Sequence, residues 1–424
     1  MNFLQSAFLL SLGSFLSKVL GAIYRFPLIR LIGTEQMGMY QMIYPVYALL
    51  LTFSSVGLPS ALSYLIASGK DCMKMARRIF LPVGAMSSVL LCAFAYPVSL
   101  LQGNRSLVWG YFAISPSLVL VTEISLRRGE FQGHGRMLPT AVSQVVEQAV
   151  KILFGLSFAK VTANPFPFLL LSVTLGECVA LGSLLLWRRE RTVGERMGGK
   201  ELLTRTIPVT LSACVLPLSS FLDSVVLVRL AGVSQYGILS GCVSPLVALS
   251  SSVCVGISGA VIPCVAAGEK GKIKDSLVLT FICAMPVLLG FMLGVNIIST
   301  FLYGLSGDEG RLFTTLLLVS LPSCLFLPLV QTMAGCLTGL GKAEVSAVSL
   351  LVGIVAKLLF QLFFVPKTGI SGGAISFDLC YLVAFFSELM YSMIYKENCH
   401  VDHRGIRRSG RGFIRTCKKR HFER

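Results

Sequence analysis

The sequence predicts an all-α polytopic membrane protein with about twelve transmembrane helices, in two six-helix lobes that a pseudo-twofold axis along the membrane normal relates. Three observations predict this fold. Hydrophobic residues make up 54% of the 424 residues and charged residues only 13%, whereas soluble domains contain about 25% charged residues. Apolar segments of about 20 residues, long enough to cross a bilayer, recur along the whole chain. The two halves of the chain also repeat each other.

The apolar segments follow one another with short polar connections. The first continues from Phe3 without a small-residue cleavage site, so we expect a retained first helix and not a secretory signal. Hydropathy and helix-breaking residues place the predicted spans at 3–31, 39–67, 79–101, 107–126, 137–159, 166–187, 206–231, 237–267, 277–303, 312–337, 344–365 and 371–395.

Basic residues alternate between the connections. Of the 37 lysine and arginine residues, 27 lie in every second connection or in the C-terminal tail. We expect the protein in the cytoplasmic membrane. By the positive-inside rule, this pattern places both of its termini in the cytoplasm. The formal net charge of +17 is therefore topological and does not indicate nucleic acid as a partner. The 13 cysteines form no CxxC pair, which predicts small buried side chains and neither disulfides nor a metal site.

The repeat appears in two registers. The aligned pairs include Arg30 with Arg229, Gly33 with Gly232 and Gly38 with Gly237 at a shift of 199 residues, and Lys151 with Lys357 at a shift of 206. Because an even number of spans separates equivalent positions, the halves have the same orientation, and transporters of this design bind substrate between them. We predict an N-terminal lobe (1–190), a basic cytoplasmic linker (191–205), a C-terminal lobe (206–395) and a basic cytoplasmic tail (396–424).

Three cations lie in the first apolar segment, although a charge at mid-membrane costs about 2.5 to 3.5 kcal/mol. Lys18 and Arg25 are two helical turns apart and share a face. Our hypothesis is that this face lines a basic cavity for an anionic, membrane-borne substrate. Arg25, just before Pro27, favours the cavity. Arg30, beside a glycine, favours snorkelling to the interface, and Lys18 fits both interpretations equally.

Prolines interrupt the paired spans one, two, seven and eight. A proline removes a helical hydrogen bond and bends a helix, so as a set these residues suggest hinges, although each one singly is also a common packing feature of membrane helices. The hinge candidates are Pro27, Pro45, Pro59, Pro217 and Pro245.

Carboxylates inside the spans give further candidates. Asp223 has two interpretations of equal weight: a coupling site for Na⁺ or H⁺, or a static partner for Lys18 or Arg25. Glu147 and Lys151 have the spacing of a helical ion pair. Lys357 has glycine at the corresponding acidic position, so we expect it to snorkel. Weaker candidates are Glu123, Glu177, Asp378 and Glu388.

Several motifs resemble a known family. The pattern G33-x-E35-x-x-G38-x-Y40-x-M42-x-x-P45 and the following G57-L58-P59-x-A61-x-S63 resemble the first helix pair of the stage V sporulation protein B group. The segment T206-I-P-V-T-L-S, leading to L222-D223, resembles its seventh helix. This group belongs with lipid II flippases, polysaccharide flippases and multidrug antiporters in one exporter superfamily.

The resemblance implies a fold and a substrate. It implies two six-helix lobes in a V around a central cavity, which move polyprenyl-diphosphate-linked saccharides from the cytoplasmic to the outer leaflet in cell-wall, spore-cortex or polysaccharide biosynthesis. The segment S17-K18-V-L-G21 with Arg25 resembles the basic first-helix motif of lipid II flippases, where cations meet the diphosphate. Lys18 and Arg25 are therefore the first substrate-binding candidates, followed by Arg30 and Arg229 at the outer mouth. Arg229 fits a helix-end anchor better.

The sequence departs from the family in two places. Position 64, where relatives often carry a cation, is Tyr64. Relatives commonly have fourteen helices, whereas this chain has about twelve predicted spans and then a basic tail. Each cation of that tail contributes about 1 kcal/mol of attraction to an anionic leaflet, so membrane lipid is a predicted partner. The alternative is a disordered tail that only retains the topology.

The predicted function is that of a non-enzymatic flippase that works by alternating access. No Walker-type glycine loop is present in the sequence, so no nucleotide cofactor is expected, and a Na⁺ or H⁺ gradient or the membrane potential remains. One alternative is a cation-coupled multidrug antiporter, whose pocket should be acidic or aromatic. A second is a membrane-embedded transferase, which should cluster Asp, Glu or His at a membrane face. The four histidines lie in a loop and in the tail: His134, His400, His403 and His421.

Overall fold

The computed structural model describes residues 3–55, 57–188, 195–196, 210, 213–266, 269 and 271–417. Within these ranges, side chains are described for all residues except 3–12, 14–15, 18, 60, 195–196, 263 and 395–417. The side chain of Lys18, most of the predicted linker, the start of the seventh-helix motif and the basic side chains of the tail therefore lie outside the described part.

The first half of the chain is helical. Its helices are α1 (Phe3–Ser54), α2 (Leu58–Ala67), α3 (Met73–Leu101), α4 (Leu107–Ile114), α5 (Ser117–Gly133), α6 (Leu138–Val161) and α7 (Phe166–Leu185). A short parallel pair, β1 (Lys70–Asp71) with β2 (Glu195–Arg196), joins the connection after α2 to the predicted linker.

The second half continues in the same way. Its helices are α8 (Val215–Ala231), α9 (Val233–Tyr236), the π-helix π1 (Gly237–Val243), α10 (Ser244–Ala266), α11 (Gly271–Ile297), the π-helix π2 (Ile298–Tyr303), α12 (Gly307–Val319), α13 (Leu321–Gly339), α14 (Ala343–Thr368) and α15 (Ile370–Cys417).

Two glycines divide the helices at equivalent positions of the repeat. Gly33 has φ 77° and ψ 174° and kinks α1 between the first two predicted spans. Gly232, its counterpart at a shift of 199 residues, has φ 94° and ψ 162° between α8 and α9. Residues that carry a Cβ atom rarely adopt such positive φ values, so both kinks require glycine. Gly57, with φ 82°, separates α1 from α2 inside the second predicted span.

The proline candidates differ in place. Pro27 and Pro45 lie inside α1. Pro59 and Pro217 lie in the first turns of α2 and α8, where a missing N–H has no partner inside the helix. Pro245 is the second residue of α10, which directly follows π1. Their role as hinges stays a prediction.

Nine helical segments of the described chain are long and apolar enough to cross a membrane. They are Met73–Leu101, Leu107–Gly133, Leu138–Val161, Phe166–Leu185, Val233–Ala266, Gly271–Tyr303, Leu321–Gly339, Ala343–Thr368 and Ile370–Ile394. Many large apolar side chains face outwards, such as Trp109, Leu293 and Phe301, as on a lipid-facing surface. The protein is therefore a multi-pass membrane protein, while the count of about twelve spans remains a prediction.

The chain packs into two compact units. One comprises 1–247, 290–320 and 358–376, and the other 248–289, 321–357 and 377–424. In the first, Leu58, Leu62 and Phe80 belong to a buried cluster. In the second, Val261, Met333 and Cys336 do so. These units cross the predicted lobe boundary at 191–205, and the residue bounds of the predicted lobes stay a prediction. The residues of the next subsection belong to the first unit unless stated otherwise.

Candidate functional site

Two equivalent segments of the repeat cross at very short distance. A Cβ atom built on Gly38 in α1 would lie 2.2 Å from the carbonyl oxygen of Val233. A Cβ atom on Gly237 in π1 would lie 2.1 Å from the carbonyl oxygen of Thr34. Thr34 and Val233 are themselves counterparts at a shift of 199 residues, so the two contacts are the same contact seen from either half. Only glycine allows backbones to approach this closely.

Hydrogen bonds join the same segments. The Thr34 Oγ1 atom lies 2.6 Å from Ser234 Oγ and donates to Glu309 Oε1 at 2.6 Å. Because a hydroxyl has one hydrogen, Ser234 donates to Thr34 when Thr34 donates to Glu309. The bonds and the glycines together hold α1 against α9 and the start of α12. We call this contact, made by Thr34, Gly38, Val233, Ser234 and Gly237, the helix crossing.

Arg30 and Arg229 make reciprocal contacts. Arg30 Nη2 donates to the carbonyl of Phe301, near the end of π2. Arg229 Nε donates to the carbonyl of Leu101, the last residue of α3, at 2.9 Å. Leu101 and Phe301 are 200 residues apart, close to the shift that relates the arginines. Cations stabilise the unpaired carbonyls at a helix C-terminus, which is the contact expected of a helix-end anchor. A substrate role for either arginine stays a prediction.

Arg25 lies beside π1. It is half-buried, and its Nη1 atom donates to the Gly241 carbonyl in a long hydrogen bond of 3.5 Å. In an α-helix the N–H of residue 245 would bond to that carbonyl, but Pro245 has none. Pro245 therefore makes no such bond to the Gly241 carbonyl. Within the described chain Arg25 forms no ion pair.

A cavity of about 310 Å³ lies next to the helix crossing. Helix α1 contributes Gln41, Tyr44, Pro45 and Ala48, and the second half contributes Leu216, Pro217, Ser220, Tyr236 and Ser240. None of these lining residues carries a charge. Sequence reasoning found the two prolines but missed the polar residues. The repeat contained the signal, since Gln41 and Ser240 are counterparts at a shift of 199 residues.

Asp223 lies in a buried polar cluster. Gln361 Nε2 donates to Asp223 Oδ1 at 3.0 Å and contacts Ser376 Oγ at 2.9 Å. The oxygen of the same amide, Gln361 Oε1, is buried and has no hydrogen-bond partner in the described chain. Gln361 is 138 positions from Asp223 in sequence, so no local spacing could have predicted this contact. We call Asp223, Gln361 and Ser376 the carboxylate cluster.

The first half fills the corresponding place with a phenol. Tyr24 is the counterpart of Asp223 at a shift of 199 residues, and Gly155 is the counterpart of Gln361 at a shift of 206. A Cβ atom on Gly155 would lie 2.0 Å from Tyr24 Oη. The Tyr24 ring therefore takes the room that the Gln361 side chain takes in the other half. The halves share a backbone plan but place a carboxylate only on one side.

The predicted ion pair of Glu147 and Lys151 is replaced by two other contacts. Glu147 Oε2 accepts from Arg128 Nη2 at 2.8 Å, and Lys151 Nζ donates to Tyr44 Oη at 2.8 Å. Arg128 reaches Glu147 from the neighbouring α5, whereas Lys151, one turn further along α6, faces the tyrosines of α1. In the second unit, Lys357 is buried and not snorkelling, with Nζ 4.9 Å from the centre of the Phe377 ring.

The remaining carboxylates of the spans have defined donors. Glu123 pairs with Arg77 and Arg127, and Glu177 accepts from Tyr47 Oη at 3.0 Å. In the second unit, the Ser323 backbone N–H donates to Asp378 at 2.9 Å, and Ser346 donates to Glu388 at 2.5 Å. These contacts fit structural roles.

Comparison with known proteins identifies relatives. Lipid II flippase MurJ of Bacillus subtilis (strain 168) is 25% identical over 448 residues, which cover 92% of this chain and 82% of MurJ. Stage V sporulation protein B of the same organism is 27% identical over 429 residues, which cover 88% of this chain and 80% of that protein.

Solved structures share the fold. An inward-facing MATE family multidrug resistance transporter of the MOP superfamily superimposes with a TM-score of 0.72 at 14% identity, over 90% of this chain and 96% of that one. Lipid II flippase MurJ in an inward closed conformation superimposes with a TM-score of 0.70 at 14% identity, over 91% of this chain and 87% of that one.

The fold is thus the all-α, two-lobed fold of the MOP-superfamily transporters, as predicted. The polysaccharide biosynthesis protein family matches residues 3–269, and the chain belongs to that family. The resemblance to the stage V sporulation protein B group and to lipid II flippases is confirmed.

Proposed function

We propose that this protein is a flippase that moves polyprenyl-diphosphate-linked saccharides across the cytoplasmic membrane by alternating access. The single observation that carries the proposal is the cavity beside the helix crossing, to which both halves of the chain contribute. Transporters of this design bind substrate at the interface of the repeats. The relatives named as a lipid II flippase and a sporulation protein support this kind of cargo. Both termini lie in the cytoplasm in this proposal.

The diphosphate of the substrate binds to Arg25 and Lys18. Arg25 is half-buried next to π1 and forms no ion pair in the described chain, and a guanidinium binds phosphate oxygens with two parallel hydrogen bonds. Lys18 is the counterpart of Pro217 at a shift of 199 residues, and Pro217 lines the cavity. The lining contains no acidic residue, which favours the flippase over a multidrug antiporter, while Tyr44 and Tyr236 supply the aromatic surface that an antiporter pocket also uses.

We expect Arg25→Ala and Lys18→Ala each to slow translocation by about tenfold or more, since a charged hydrogen bond contributes about 1.5 to 3 kcal/mol. The measurement is flipping of a fluorescent polyprenyl-diphosphate-linked saccharide in reconstituted vesicles. Arg105→Ala, at an exposed position outside the spans, is the control and should flip normally. Unchanged flipping in both variants would remove these two residues from the site. No flipping by the wild type would contradict the proposed function.

The carboxylate cluster is the proposed coupling site. Turning the Gln361 amide over would bring its Oε1 atom, now without a partner, to face Asp223 Oδ1 and Ser376 Oγ at the present distances of 3.0 and 2.9 Å. Three oxygens would then converge, and hard cations prefer oxygen ligands. The amide donates to Asp223 without the ion and turns its oxygen to it when Na⁺ binds. Protonation of Asp223 is the alternative way to remove its charge.

Asp223→Asn should therefore abolish the dependence of translocation on the coupling ion. Flipping rates would be measured while the Na⁺ gradient is varied at fixed pH, and then while the pH gradient is varied without Na⁺. Asp378→Asn is the matched control, since Asp378 is a buried carboxylate with two donors from Ser323, and it should retain the wild-type ion response. A wild-type ion response in Asp223→Asn would return Asp223 to a structural role.

A further inference from the structure

Two hydrogen-bond donors on the wall of the cavity have no acceptor among the described residues. Gln41 is 8% exposed, and its Nε2 atom is buried without a partner in the described chain. Gln102, on the same side of the protein, shows what a structural glutamine looks like: its Nε2 atom donates to Met42 O at 2.8 Å, and its Oε1 atom accepts from Tyr111 at 2.6 Å. Buried amides are normally bonded in this way. Gln41, in the wall of the cavity, thus departs from the rule that buried amides are hydrogen-bonded.

Tyr44, one turn further along α1, is the second donor. Its Oη atom accepts from Lys151 Nζ at 2.8 Å and from Tyr40 Oη at 3.2 Å. A phenol oxygen that accepts two hydrogen bonds still has its own hydrogen to donate. Within the described chain, no group accepts it. The half-buried ammonium of Lys151, which donates to Tyr44, also makes this O–H a stronger donor.

The wall therefore has a definite chemical preference. It offers N–H and O–H donors, the hydroxyls of Ser220 and Ser240 and the faces of aromatic rings, but no charge. An organic cation would find no carboxylate there, and a diphosphate would find no cation among the lining residues. A neutral sugar offers hydroxyl or amide oxygens to the donors. The volume of about 310 Å³ is near the lower limit of ligand pockets, about 300 to 1,000 Å³, and fits one sugar unit.

We propose that this cavity is a saccharide subsite, in which Gln41 and Tyr44 donate to the oxygens of one neutral sugar of the cargo. The inference rests on the proposed function and adds to it that sugar and phosphate are bound by different residues. Arg25 binds the diphosphate, and Gln41 donates a hydrogen bond only when a sugar is attached to it. Gln41 is then a specificity residue, because an unpaired buried donor discriminates against a cargo that lacks the acceptor.

The test compares two lipids in reconstituted vesicles: a polyprenyl diphosphate that carries one N-acetylglucosamine, and the same polyprenyl diphosphate without sugar. Gln41→Leu should slow flipping of the sugar-bearing lipid by about five- to tenfold, the factor for one ordinary hydrogen bond, and should leave the sugar-free lipid unchanged. Arg25→Ala should slow both lipids equally. Gln132→Leu, a glutamine of α5 outside the cavity lining, is the control and should slow neither lipid.

Equal slowing of both lipids by Gln41→Leu would show a packing role and overturn the subsite, as would no slowing of either. A second measurement separates the subsite from the transport proposal: binding of free N-acetylglucosamine to the purified protein, detected by saturation-transfer NMR. If the wild type flips neither lipid but binds the sugar, and Gln41→Leu does not, the flippase proposal fails and the subsite stands. If the wild type neither flips the lipids nor binds the sugar, the subsite is overturned as well.

Discussion

Gly38→Leu should abolish translocation, with a loss of about a hundredfold. The first side-chain atom would lie 2.2 Å from the Val233 carbonyl oxygen, and a backbone atom cannot move aside as a flexible side chain can. Overpacking costs about 1 to 3 kcal/mol. Because the obstacle here is backbone, we expect the upper end of that range, which lowers the population of the crossed state by about a hundredfold. Alternating access requires one side of the protein to close, so a protein that cannot form the helix crossing cannot complete a cycle.

The repeat supplies a replicate and the chain supplies a control. Gly237→Leu should behave as Gly38→Leu does, since a Cβ atom there would lie 2.1 Å from the Thr34 carbonyl oxygen. Gly182→Leu in α7 should translocate normally, because a Cβ atom at Gly182 meets nothing within 4 Å. Flipping of a labelled lipid-linked saccharide is the readout, and size-exclusion chromatography in detergent verifies folding. Wild-type flipping by a folded Gly38→Leu protein would show that the crossing has no part in transport.

Backbone features were the easiest to predict from the sequence. The sequence placed breaks between spans at 32–38 and 232–236, and the structure has the kinks at Gly33 and Gly232 there, because only glycine tolerates the positive φ. The class of fold follows from apolar length and charge. Neither requires knowledge of which helix faces which. Asp223 could also be singled out, since a carboxylate among apolar residues needs compensation wherever it lies.

Partners across helices could not be predicted in the same way. The spacing of Glu147 and Lys151 suits a pair on one helix. Instead, Glu147 bonds to Arg128 of α5 and Lys151 bonds to Tyr44 of α1. The same applies to Gln361 beside Asp223. Gln41 is one polar residue in an apolar segment, and its importance depends on a cavity that forms only where α1 meets the second half. Tertiary packing, which local spacing does not encode, decides these contacts.

A disulfide between positions 34 and 234 should stop translocation completely and reversibly. The Thr34 and Ser234 hydroxyl oxygens are 2.6 Å apart, so sulfur atoms at the same places are close to the bonding distance of about 2.05 Å. Oxidation of Thr34→Cys/Ser234→Cys would fix the helix crossing in its closed form. If the two segments must part once in each cycle, no substrate can then pass.

The oxidised double variant should therefore show no flipping, and a reducing agent should restore the rate of the reduced protein. Thr34→Cys and Ser234→Cys alone are the matched controls. Both retain the 13 native cysteines, so any effect of oxidation elsewhere appears in them too. Thr34→Cys also loses the bond to Glu309, so it shows the effect of that loss alone. Mass spectrometry of the cleaved protein establishes that the cross-link has formed. A cross-linked protein that still flips its substrate would mean that α1 and α9 move as one body, and that access alternates elsewhere in the protein.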